Sequence, residues 1–279
     1  METAVVEKKF ANMGARIKFF EPAGFSRQDF TIDVKNDKKG EYFEVRTNED
    51  SDVSVLDVQE DERHLLLLVK RPDENLHQPP IKMRFLCGHD ERNWFTCAIP
   101  GTPSSVFQAK QALKPSFVQE IESKKGIKQS QSQKRHRRLK DGTKVHRQGE
   151  FMFTPDSSFL PPEGSLYVIH RNEPLSRGGN RRNANPHMAQ YLYRSGGISV
   201  WVSSMYPNGV SDSQMRSIIK EQPALRNSFT QRQADANVWV KGTIRHSQHA
   251  TLDLGDVWHR VSVNTEDRAR GAVNVRFLD

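Results

Sequence analysis

Six of the chain's ten histidines lie between His146 and His259, and three of these fall in residues 239–266, WVKGTIRHSQHATLDLGDVWHRVSVNTE, beside two aspartates and two tryptophans. Imidazole changes charge near neutral pH without help from its surroundings, which suits it to general acid and base work, and as a neutral ring it is a good ligand for zinc. His246, His249 and His259, with Asp253 or Asp256, have the composition of a zinc site with three protein ligands and a water. The spacing H-x2-H-x9-H constrains that reading. If the strands follow one another in order across a sheet, His246 and His259 sit two strand spacings apart, roughly 10 Å. His246, His259, His187 and His170 are the candidates for an acid–base pair, with Arg182 or Lys241 to steady a phosphorane. The plain alternative is that each ring is a core histidine held by ordinary hydrogen bonds, because an unpaired buried polar group costs about 1–3 kcal/mol.

A second group of residues suits anions. Arg171, Arg177, Arg181 and Arg182 surround two glycines and three asparagines, which supply charge, close backbone approach and hydrogen-bonding amides, although no G-K-[ST] closes a P-loop. Lys134, Arg135, Arg137, Arg138 and Lys140 put five cations within seven residues, enough for a strongly salt-dependent hold on phosphates or simply a solvated connector. Lys241 and Arg245 add cations inside the histidine-rich stretch, and Trp201, Trp239, Trp258 and Tyr193 are rings on which unpaired bases could stack.

A third group is Cys87, His89 and Cys97 in FLCGHDERNWFTCAIP. It offers soft metal ligands, but two cysteines make neither a four-thiolate site nor a disulfide scaffold, and a small buried side chain is the alternative role of each.

The elements that carry these residues follow from pattern. Alternation puts Val238, Val240, Gly242, Ile244 and His246 on one face of a strand, and Val257, His259, Val261 and Val263 on one face of another, with residues 250–254 as a strand between them. Both histidines are thereby expected on the apolar side. Asn185 followed by Pro186 predicts a helix start, with His187 in the first turn facing an anion, Met188, Tyr191 and Leu192 after it, and Gly196 and Gly197 as the stop. Further strands are expected at residues 150–154, 165–170, 198–202 and 273–277, and a helix opening at Ser211 with Gln214 three residues on and Met215, Ile218 and Ile219 inward.

Upstream, residues 15–20, 29–34, 42–46, 53–58, 64–70 and 82–87 read as short strands between turn clusters. Leu65, Leu66, Leu67, Leu68 and Val69 lack polar alternation and predict a central strand covered on both faces. A hairpin with a tip of His89, Asp90, Glu91 and Arg92 follows. Two helices come next, one capped by Ser104 or Ser105 with Val106, Ala109 and Leu113 on its stripe, the other opened by Ser116 with Gln119.

The fold class expected is α+β: a β-rich, sandwich- or barrel-like N-terminal domain over residues 1–126, a basic linker over 127–144, and a basic, His-rich domain with a mainly antiparallel sheet over 145–279. Charge divides the same way, with −4 over residues 1–100 and +12 over residues 101–279 of a chain whose total is +8. Local basicity of this kind points to an anionic partner of the second half. No run of about 18 apolar residues and no apolar leader predicts a membrane segment or secretion, so a cytoplasmic setting and no membrane partner are expected.

Three functions remain open on these grounds. One is nucleic-acid binding or processing, RNA before DNA, in a basic His- and Arg-lined cleft; another is a metal-dependent or histidine-based hydrolase acting on phosphodiesters, with zinc as the possible cofactor; the last is a non-catalytic interaction or scaffold protein.

Overall fold

In the computed structural model, which describes residues 3–21, 30–73, 79–90, 92–124, 145–164, 168–175, 185–206, 209–234 and 236–266, the apolar run 65–69 lies in the interior of a four-stranded antiparallel sheet. Strands β4 (Asp52–Gln59), β5 (His64–Arg71), β6 (Ile81–Asp90) and β7 (Asn93–Ala98) pair in that order. Leu65, Leu67 and Val69 join one core cluster and Leu66 another, so β5 is covered on both faces, as the missing alternation requires. The first cluster also takes in a three-stranded sheet, β1 (Ile17–Phe20), β3 (Gly40–Thr47) and β2 (Phe30–Asp37) in that order, with β1 parallel to β3.

Helix α1 (Thr3–Asn12) packs Val6 and Phe10 into the same cluster, with Met13 after it. The strand pattern upstream of residue 20 does not anticipate this helix. Its sign is the spacing of Val6, Phe10 and Met13 at i, i+4 and i+7. The other face of the four-stranded sheet is closed by α2 (Val106–Ala112), whose Ser105 cap accepts from Gln108 N and whose Val106 and Ala109 are buried together with Leu113. Helix α3 (Ser116–Lys124) follows Pro115, but its Gln119 side chain donates to Gln111 O and Lys114 O in place of the capping box expected with Ser116.

The β6–β7 hairpin closes at Asp90↔Asn93. Its register sets Leu86 opposite Cys97, so Cys87, one residue on, faces the other way. Cys87 belongs to the cluster around α1 and Cys97 to the cluster around α2. The expectation of a metal shared by Cys87, His89 and Cys97 therefore fails, because the two thiols leave opposite faces of one sheet and cannot meet at one point. Burial pushes the Cys87 thiol up to about 12, against a small opposing effect from its contact with Thr96 Oγ1.

The chain forms two compact units: Met1–Ile121 with Thr265–Gly271, and Glu122–Asn264 with Ala272–Asp279. The expected linker and the expected strand at 273–277 lie outside the described residues. The second unit is built on a curved seven-stranded antiparallel sheet, a half-barrel. Its order is β10 (His170–Pro174), β11 (Met188–Ser195), β14 (Asn237–Arg245), β16 (His259–Val263), β9 (Phe151–Pro155) and β8 (His146–Gln148), with β15 (Leu252–Asp253) on the free end of β14. A separate ribbon pairs β12 (Ile198–Val202) with β13 (Thr230–Ala234). Helix α4 (Asp212–Glu221) carries the anticipated Ser211–Gln214 capping box, buries Met215, and leads into a 3-10 turn, Pro223–Asn227. No helix among the described residues is long and apolar enough to cross a membrane.

Two expectations are corrected here. The segment after Pro186 is strand β11, not a helix, because both its edges find partners in β10 and β14 and the Tyr191–Tyr193 alternation fits a sheet. His187 is thus not at a helix terminus. The focal strands also do not lie in sequence order: β14 pairs directly with β16, with Val240 opposite His259, while β15 takes only Thr243 and Ile244. What separates the two pairings is a bulge, where Gly242 and Thr243 together oppose Gln190 and Gly242 adopts φ +79.

Replacement of Gly242 by alanine adds a Cβ 2.3 Å from Gln190 Oε1, the acceptor of Thr243 N. With the left-handed backbone, Gly242→Ala is expected to destabilise the protein by about 1–3 kcal/mol in urea unfolding; an unchanged midpoint would refute the bulge. Cys87 is expected to react with iodoacetamide at least about 100-fold more slowly in the native protein than in urea, by mass-spectrometric counting, and reaction at the free-thiol rate would contradict its burial.

Candidate functional site

The pairing of β11 with β14 generates two constellations. Arg245 lies opposite Met188, so the next residues along, His246 and His187, meet across the end of the pair. Their rings stack with centroids 4.2 Å apart and planes at 12°. His249, in the turn after β14, closes the group at 5.4 Å from His187 and 4.9 Å from His246. One ligand nitrogen of each of the three lies within 4.8 Å of the other two. Among the described residues, no other set of three His, Cys, Asp or Glu side chains comes so close.

Several interactions fix these rings. His246 Nε2 meets Asn185 O at 2.8 Å, and its Nδ1 accepts from Gln248 N at 3.2 Å. His187 is 6% exposed and lies edge-on to Phe151. Gly149, at φ +58 in the β8–β9 turn, leaves room where a Cβ would stand 3.4 Å from Nε2 of both His187 and His249. The buried Gln148 donates its amide to Ala250 O at 2.6 Å, tying that turn to the residue after His249.

His259 and Asp253 stand apart from this group, a correction to the expected ligand set. His259 pairs with Val240, six residues from His246, about 18 Å along the strand. It shares a cross-strand row with Val240 and Leu192 and is buried, as alternation predicted. Its Nδ1–H donates to Val257 O at 2.8 Å, and His146 lies edge-on at 5.9 Å. Desolvation lowers its pKa, opposed more weakly by that hydrogen bond. Asp253 is exposed and accepts from Gly255 N, a turn contact, and His170 is exposed on β10.

The second constellation is on the outer face. Arg171, Tyr191 and Lys241 are register partners on β10, β11 and β14 and form a row across three strands. The Arg171 guanidinium lies 5.5 Å and Lys241 Nζ 5.7 Å from the Tyr191 ring centre, and Lys241 Nζ is also 5.7 Å from the Trp258 ring. No carboxylate among the described residues forms an ion pair with either cation, whereas Arg194 is held by Glu173. Arg245 extends the cationic edge, its guanidinium donating to Asn172 Oδ1 at 2.8 Å. Two residues along the same face, Tyr193 and Trp239 begin an aromatic group in which Phe159 stacks on Trp239 at 4.1 Å and 5° and stands edge-on to Trp258. Tyr193 and Trp258 are buried in it, so Trp239 and Phe159 are the rings with a half-open face, and Leu160 beside them is 80% exposed. Trp201 lies on β12, its indole donating to Asp212. Lys134, Arg135, Arg137, Arg138, Arg177, Arg181 and Arg182 lie outside the described residues.

Sequence reasoning places His187 among possible acid–base groups but not among metal ligands. Only the β11–β14 register brings it opposite His246. No family model matches the chain, and comparisons with curated proteins and with solved structures find no match.

The depressed pKa of His259 predicts a pH dependence of stability. Above its ordinary value near 6.5 the ring is neutral whether folded or unfolded. Below it the unfolded chain takes up a proton that the folded chain resists, so stability falls as pH drops. Urea midpoints between roughly pH 7.5 and 5 should fall less steeply for His259→Gln than for the wild type; equal slopes would show the ring to be solvated.

Proposed function

We propose that the second unit binds nucleic acid, single-stranded RNA foremost, on the outer face of its half-barrel sheet. The observation that carries the reading is the Arg171–Tyr191–Lys241 row, where two cations without carboxylate partners among the described residues lie over a ring shared between them. Cations for phosphates beside rings with open faces are what an unpaired strand needs, since every base has a face that stacks and every nucleotide a charge. The half-exposed Trp239 and Phe159, the bare Leu160 and the +12 charge of residues 101–279 support the same partner. In sequence, Arg177, Arg181, Arg182 and the cluster from Lys134 to Lys140 add cations to the same part of the chain. With it goes an α+β chain of two domains, the first sandwich-like, acting in the cytoplasm, where two buried thiols need no disulfide.

Fluorescence anisotropy with a labelled single-stranded RNA should show affinity falling steeply as salt rises. Arg171→Ala with Lys241→Ala should weaken binding and reduce the salt slope by about 2, one for each phosphate that the removed cations neutralise. No binding at low salt, or an unchanged slope in the double variant, would overturn the proposal.

A further inference from the structure

His187, His246 and His249 use chemistry that RNA binding does not call on. We infer that these three imidazoles form a site for a single divalent transition-metal ion, zinc foremost.

Ligand type argues for the class of ion. Three imidazoles and no carboxylate suit zinc and its first-row neighbours and not magnesium or calcium, which take oxygen. Geometry argues for one shared ion. With bonds of 2.0–2.1 Å, nitrogens in a tetrahedral site stand about 3.3 Å apart. One nitrogen of each ring lies within 4.8 Å of one on each of the other two, so each such pair closes by about 1.5 Å at most, within the reach of small side-chain rotations that also turn His187 off its stack on His246.

The surroundings suit such a site. Neutral His246 that donates Nε2–H to Asn185 O presents Nδ1 as its basic nitrogen, and a backbone carbonyl behind a metal-bound imidazole is the usual orienting partner. The ion would replace the 3.2 Å hydrogen bond from Gln248 N. Nε2 of His187 and of His249 converge on the space that Gly149 leaves open, which any larger residue would narrow. The ligands sit at the end of a paired strand and in the tight turn after it, and Gln148 ties that turn to β8. Three protein ligands leave a fourth position for water, as in zinc sites that carry out chemistry.

The test uses the full chain, stripped with a chelator and titrated with zinc against a colorimetric competitor. One equivalent should bind tightly. His187→Ala and His249→Ala should each weaken binding by more than about 100-fold, beyond what removal of an orienting partner alone causes, while His259→Gln should match the wild type. If an alanine variant does not fold, nitrogen-15 spectra of the wild-type imidazoles decide. Zinc should shift three ring systems, and cobalt in its place should give visible bands without a thiolate charge-transfer band. Substoichiometric binding, wild-type affinity in the two alanine variants, zinc shifts at other histidines or none, or a thiolate band would each overturn the assignment.

Discussion

Antiparallel hydrogen bonding between β11 and β14 is the constraint on which the second unit depends. Because Leu192 is matched to Val240 and Tyr191 to Lys241, successive rows of side chains go to opposite faces, apolar towards the core and aromatic or cationic outwards. The same register carries past the end of the pair and sets His187 against His246. A slip by one residue would exchange the faces, burying Lys241 and exposing Val240. Such a shift is costly because the core face holds Leu192, Val238 and Val240 with no exposure.

The bulge at Gly242 makes that strand serve two neighbours. At Trp239 and Val240, β14 pairs with β16; past the bulge it pairs with β15 and turns back through His246 and His249. Gly255 O accepts from Gly242 N, and Gly242 O from Leu254 N, so both backbone groups of the extra residue are satisfied by the returning chain. In consequence the histidine group lies at one end of the strand and His259 in the interior near the other. Their surroundings differ: His259 is buried, and desolvation disfavours its protonated form, whereas His246 and His249 are half-buried at a turn.

Much of the first unit was legible in the sequence because its signals are local. An unbroken apolar run marks a strand buried on both faces, and the Ser105, Val106, Ala109, Leu113 pattern marks a capped amphipathic helix. The two cysteines were less legible. Their residue types suggested a metal, and it took the Leu86↔Cys97 register to send them to opposite sides of one sheet. In the second unit, Asn185–Pro186 and the double glycine carried a helix signal that the pairing of β11 with two neighbours overrode, since local propensity is worth a fraction of a kcal/mol per residue and burial of Leu192 or Ala189 considerably more.

By itself the sequence determined the balance of charge, the alternating character of the strands around the histidines, the apolar placement of His259 and the identity of the groups able to do chemistry. Only the tertiary structure decided which of those groups meet. His187 lies 59 positions before His246 in the numbering, and Arg171 lies 70 before Lys241, so neither spacing carries a signal of its own. The partners come together through strand register, which is selected by the burial of apolar side chains on the opposite face. That is a property of the whole sheet, and no single segment of the chain contains it.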